Sequence, residues 1–149
     1  MANPPTTTTM SAEALQQMLH DNIFAGYVQA LGMRVVAAGD GEVELALPVV
    51  PLLVHSGGVV CGQALMAAAD SAMVLTISHQ LGGFRPMTTV QLQTSFLRPI
   101  PGPMGGNPAE ARIVARVLRA GKNLVFGEIE IKDSAGRLAA HSTTTYALL

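Results

Sequence analysis

Charge is what this chain has least of. Only 13% of its 149 residues are charged, 9 basic and 10 acidic, for a net charge of −1, where a typical domain has about a quarter. A balance this close to neutral carries no basic field for nucleic acid. A single cysteine excludes an internal disulfide framework and fits a reducing compartment. Familiar catalytic and nucleotide-binding signatures are missing too: there is no G-x-S-x-G, no G-x-x-x-x-G-K-[ST], no H-E-x-x-H and no C-x-x-C. The four histidines are scattered, so no metal site is expected. Residues 1–10, rich in Thr and Pro, read as a disordered tail without the basic and apolar regions of a signal peptide. The expected location is the cytoplasm. So little charge on a chain of this size also points to extra surface hidden in an oligomer.

Between Glu44 and Arg85 there is one formally charged side chain, Asp70. It lies in a run from Gln63 to Ile77 built of Ala, Leu and Met, which lose little rotamer freedom in a helix. The run predicts a helix from about Gly62 to about Ser78, with Gly82-Gly83 as its stop. A helix apolar on nearly every side is either a buried core helix or a membrane span. The membrane reading fails: the window is barely long enough, carries Gln63 and Asp70, and has no Lys/Arg cluster at either end. An Asp near the middle is penalised by about 2.5–3.5 kcal/mol on insertion scales. A buried helix remains, and a carboxylate inside one is costly unless it is hydrogen-bonded, paired or used.

Around that helix the pattern is mixed. Ser11 is a candidate N-cap for a helix carrying Leu15, Met18, Leu19, Ile23 and Phe24 at helical spacing, and a second helical piece runs Phe24 to Leu31. Val43, Leu45, Leu47 and Val49 alternate after Gly39-Asp40-Gly41, a hairpin feeding a strand. Beyond Pro86 the chain reads as strand. Thr88 to Leu97 sets Val90, Leu92 and Phe96 against Thr89, Gln91, Gln93 and Ser95. Pro99 to Pro108 is a Pro/Gly loop, and strands at 110–118, 124–131 and 138–148 are joined by two good turns. The plan is α+β in one domain over residues 11–149: an antiparallel sheet, expected as a four-stranded meander after the helix, wrapped around a single long helix.

Two segments bear a family resemblance. G-x-V-C-G-Q-x-L-M-A-x-A-D-S-A-M at Gly58–Met73 and T-T-V-Q-L-Q-T-S-F-L-R-P at Thr88–Pro99 resemble the hotdog-fold acyl-CoA thioesterases of the phenylacetate-pathway (PaaI) type. The tail ending S-T-T-T-Y is similar to that family's last strands, so the likeness spans residues 25–149. It implies a hotdog fold, five or six strands around the central helix, and hydrolysis of an acyl-CoA with no cofactor beyond the coenzyme A of the substrate. It also implies a homodimer or dimer of dimers with sites at subunit boundaries. The family's usual His-Gly-Gly, nine residues before its acid, is here Cys61-Gly62-Gln63. Gly58 matches a family glycine. His55 stands where relatives carry an Asn or Gln that contacts the thioester, and Thr89 where they place a Ser or Thr near the partner's acid.

A thioester hydrolase needs a group that attacks the carbonyl or delivers water, and donors aimed at the developing oxyanion. Asp70 suits the first role, as general base or nucleophile. The Gly62 N–H at a helix start suits the second, since glycine lets a carbonyl come close. His55 is a candidate for orienting water or thioester, Gln63 for a carbonyl contact, and Arg98 and Lys122 for the phosphates of coenzyme A. Cys61 reads as a small buried residue rather than a nucleophile, and with Gly58 and Thr89 it is a candidate for the substrate-binding lining. Asp70 lies roughly 12 Å along the helix from Gly62, too far for one helix to serve one carbonyl. Two antiparallel copies bring the groups together, which predicts a site shared across a dimer. Two alternatives stay open: an enoyl or 3-hydroxyacyl thioester hydratase-dehydratase of the same fold, and a non-catalytic acyl-CoA-binding module.

Overall fold

Ser11 caps the first helix as its position suggests. The computed structural model, which describes residues 7–103 and 109–149, has the Ser11 Oγ accepting the Ala14 N–H at 3.1 Å. Helix α1 (Ala12–His20) follows and buries Leu15, Met18 and Leu19. The next helical piece, α2 (Gly26–Gln29), is a single turn, shorter than its sequence suggests. Strands β1 (Arg34–Gly39) and β2 (Glu42–Val49) form the expected hairpin. Asp40 and Gly41 both take positive φ, 52° and 73°, in the two-residue turn that matches strand twist. A 3₁₀ turn at Pro51–Leu53 leads into α3 (Gly62–Leu81), which extends past the expected end at Ser78. Gly82 stops it at φ 78°, with its own N–H and that of Gly83 bonded to the carbonyls of His79 and Ser78.

The remaining strands are β3 (Met87–Phe96), β4 (Ala109–Ala120), β5 (Leu124–Lys132) and β6 (Leu138–Leu148). All six join one antiparallel sheet in the order β1-β2-β4-β5-β6-β3. This corrects the expected meander, because β3 lies beside β6 at the sheet edge and not beside β4. A hairpin needs a tight turn, whereas a Pro/Gly connection lets the chain cross β6 and β5 before β4 begins. Of that expected loop, residues 104–108 lie outside the described residues.

The faces of β3 also differ from simple alternation. Thr89 pairs with Tyr146 and Gln91 with Thr145, leaving Val90 as an inserted bulge residue. Val90 and Phe96, expected to share an inner face with Leu92, are 60% and 52% exposed. The inward residues are Met87, Thr89, Leu92 and Thr94.

Helix α3 lies across β2, β4 and β5. Its Met73, Leu75 and Ile77 bury against a sheet layer that includes Leu45, Leu47, Ile113, Ile129 and Ile131. Ser71, Thr76 and Ser78 sit in this packing without loss, because each donates to the carbonyl four residues back. Yet α3 is not covered all round. Gln63 is exposed and Met66, Ala67, Asp70 and Val74 are half-buried, a stripe at helical spacing. Of the expected N-terminal tail, residues 1–6 lie outside the described residues. Met10 is held to His79, its N–H donating to the His79 carbonyl at 3.1 Å and its carbonyl accepting from Nδ1 at 2.7 Å. A Cβ on Gly82 would strike the Thr8 carbonyl, besides straining a positive φ. Gly82→Ala is therefore expected to lower the unfolding free energy by about 1–3 kcal/mol, read from urea denaturation midpoints.

Candidate active site

Asp70 occupies the ninth position of α3, in the middle of the uncovered stripe. Two hydroxyls reach its Oδ1: Thr89 Oγ1 donates at 2.9 Å and the Tyr146 hydroxyl at 2.5 Å. The same Tyr146 oxygen lies 2.9 Å from the Asp70 main-chain carbonyl. The lone acid of the apolar helix is thus satisfied by hydrogen bonds, with no cation against it among the described residues. Thr89 and Tyr146 face each other across the β3–β6 ladder, so one cross-strand pair supplies both donors.

Tyr146 stands in the sequence only as the end of the S-T-T-T-Y stretch, with no role marked for it, and it is 1% exposed. Burial, then the negative charge of Asp70, pushes its hydroxyl far above the ordinary tyrosine range, so it remains a protonated donor. A signal for it did exist. Ala140, Ser142, Tyr146 and Leu148 alternate as the buried face of β6. A buried tyrosine hydroxyl needs a partner, and the central helix offers one carboxylate.

The other end of β3 meets the start of α3. Cys61 is the N-cap but makes no side-chain capping bond, so the first amides of α3 keep their donors free of any cap. The Phe96 ring lies over Gly62, and a Cβ there would come within 3.0 Å of Cζ. A cleft of about 370 Å³ opens at this point, lined by Val60, Gly62, Leu65, Phe96, Arg98 and Ile100 among others. Cys61 is half-buried, its N–H donating to the Leu53 carbonyl at 2.8 Å, and Gln63 is exposed on the first turn. Gly58, at φ 80°, gives its carbonyl to the Gly102 N–H. His55 is exposed, and its Nδ1 accepts the Gly57 N–H at 2.9 Å, which ties the ring to its own loop.

The candidates therefore fall into two groups. Asp70 and Thr89, with Tyr146, stand where β3 begins; Gly62, Cys61 and Arg98 stand where it ends, with Gln63, Gly58 and His55 close along the chain. Lys122 sits in the β4–β5 turn, near the ladder end that holds Tyr146, and so at the opposite end from Arg98.

The raised Tyr146 titration has a consequence for stability. An unfolded tyrosine loses its proton near pH 10, while the folded one keeps it. The folded state then binds more protons, so this contribution is intact below about pH 10 and is lost as pH rises further. Tyr146→Phe is expected to flatten the alkaline fall, as followed by thermal unfolding between pH 8 and 11.

Comparison with known proteins identifies the family and the fold. The sequence profile of the Thioesterase superfamily matches residues 57–140, a span that includes Gly58, Gly62, Asp70 and Thr89. The candidate esterase Ta0293 of Thermoplasma acidophilum is 30% identical over 126 residues, covering 83% of this chain and 90% of that protein. The solved structure of thioesterase HI1161 from Haemophilus influenzae superposes with a TM-score of 0.81 at 22% identity, covering 96% of this chain and 93% of that one. The E. coli PaaI protein of the phenylacetic acid degradation operon gives 0.77 at 19% identity, covering 93% of each. These two structures speak for the fold, and the profile match for descent. The chain belongs to the Thioesterase superfamily and has its hotdog architecture.

Proposed function

We propose that this protein hydrolyses an acyl-CoA thioester to the free acid and coenzyme A at a site shared by two copies of the chain. Asp70 of one copy serves as general base or nucleophile, and the Gly62 N–H of the other polarises the thioester carbonyl. The carrying observation is the opposed placement of the two groups along one open edge. β3 ends the sheet with an unpaired ladder and shows Val90, Phe96 and the following Leu97, all more than half exposed. An open apolar edge of this kind invites another strand. Antiparallel pairing of β3 with its own copy sets the Thr89 end of one against the Phe96 end of the other. Asp70 then approaches the α3 start of the second copy, and the half-buried stripe of Met66, Ala67 and Val74 gains a cover. Arg98 of one copy and Lys122 of the other come to the same junction, where the coenzyme's phosphates offer charge to both.

The chemistry needs no cofactor. Acting as base, Asp70 takes a proton from water as its oxygen adds to the carbonyl carbon; the C–S bond then breaks and the thiolate leaves with a proton. Acting as nucleophile, its carboxylate expels the thiolate first, and water opens the resulting anhydride. Both routes build charge on the carbonyl oxygen that the helix-start amide stabilises. No helix among the described residues is long and apolar enough to cross a membrane. The lone cysteine fits a reducing compartment, and we place the reaction in the cytoplasm.

Release of free thiol from a panel of straight-chain, branched and aryl acyl-CoAs tests the proposal. The native protein is expected to turn over at least one of them, and Asp70→Asn to lose about 10²–10⁴ in kcat, the usual worth of a general base. Equal turnover by both rejects the role of Asp70. Loss of enoyl absorbance would favour the hydratase reading, and binding without turnover the binding module. Sharing is tested separately by co-expressing Asp70→Asn with Gly62→Val, each inactive alone. Mixed pairs are expected to recover activity, because one of their two junctions keeps both native groups.

A further inference from the structure

We infer that Tyr146 is a positioning residue: it fixes the Asp70 carboxylate in one orientation, with Oδ1 occupied and Oδ2 left bare for the reacting atoms. The inference rests on the reading of Asp70 as the reactive acid and deepens it. The two donors on Asp70 converge on the same oxygen, Oδ1. Oδ2 accepts no hydrogen bond from the described residues. It is not sealed off either, since the one buried side-chain atom without a partner among those residues is His79 Nε2. A carboxylate held this way has lost its free rotation about the terminal bond, and its free lone pairs belong to one oxygen.

The two donors are unequal in stiffness. Thr89 belongs to β3, an edge strand carrying a bulge beside it, and its hydroxyl turns about a single bond. Tyr146 is carried by β6, hydrogen-bonded on both sides in the sheet, and its ring is buried against the core. Its hydroxyl also lies within reach of the Asp70 main-chain carbonyl, so it registers on the helix backbone and on the side chain together. That geometry ties the carboxylate to the sheet rather than to the open edge. The raised tyrosine titration keeps the hydroxyl protonated, which makes it a standing donor and excludes it as a base near neutrality.

Removing the donor frees the carboxylate to turn about its terminal bond, so the reacting oxygen is no longer fixed. Tyr146→Phe keeps the ring and is expected to lower kcat by about ten- to a hundredfold, the worth of one hydrogen bond to a charged group. KM should stay near its native value. Thr89→Val should lower kcat in the same way with KM kept. A residue that merely fills the core would change the melting temperature and leave kcat in place.

The full chain carrying ¹³C-carboxyl aspartate supplies a readout independent of turnover. The chain has four aspartates, and Asp70→Asn assigns the signal of interest. In Tyr146→Phe that signal is expected to shift at constant pH. An unchanged kcat together with an unchanged carboxyl signal overturns the inference. A native protein that turns over no thioester, yet whose Asp70 signal responds to Tyr146→Phe, sinks the proposed function and leaves the positioning role standing.

Discussion

A carboxylate placed inside an apolar helix has to be hydrogen-bonded, and much of this structure answers to that requirement. Asp70 meets it with Thr89 and Tyr146, residues that sit opposite each other in the sheet. That pair exists only if β3 lies beside β6, and the crossing connection after β3 is what allows it. The bulge at Val90 belongs to the same solution. It turns Thr89 toward the helix while the residues beyond it resume their own alternation. Edge placement, strand register and inserted residue converge on one side chain.

The proposed chemistry adds a second constraint, since one helix carries both of its groups and cannot bring them together itself. Gly62 and Asp70 are roughly 12 Å apart along α3, a separation that no side-chain rearrangement closes. Composition and geometry agree here. The helix is apolar on faces that its own sheet does not cover, and β3 is left as an edge with large apolar side chains in the open. Ion pairs such as Arg116 with Glu42 and Glu128, at 3.1 Å each, gather much of the scarce charge on the sheet and away from this edge. Half-exposed pairs of that kind add little stability; their placement leaves the open edge to apolar side chains.

What could be read from the residues depended on the range of the forces involved. The Asp40-Gly41 turn, the Ser11 cap and the Gly82 stop are local events, and each stands where its residues put it. Asp70 was conspicuous because it is the single charge in a long apolar stretch. Helix α3 was legible through composition, but its open stripe was not, because periodicity says nothing about which faces a sheet will reach. Tyr146 was hidden for a related reason. A tyrosine in a strand satisfies β-propensity without further cause, and only its partner across the ladder gives it a purpose. The inner face of β3 departs from simple alternation because one inserted residue flips the parity of everything beyond it. Likewise Arg98 and Lys122, equivalent as isolated cations, lie at opposite ends of the ladder.

The partnership of β3 and β6 also sets a timetable. Thr89 and Tyr146 are separated by 57 positions, and such distant pairings form late because the loop between them must close first. During synthesis β3 emerges well before the strand that will dock it, and it waits with both of its edges unpaired. The hydrogen-bonded cluster around Asp70 is consequently among the last features to assemble. A nascent chain with β1, β2 and α3 already in place still lacks any means of holding its acid. Crowded ribosomes carrying this message would juxtapose waiting β3 strands, so this open edge is the part of the chain most exposed to premature contact.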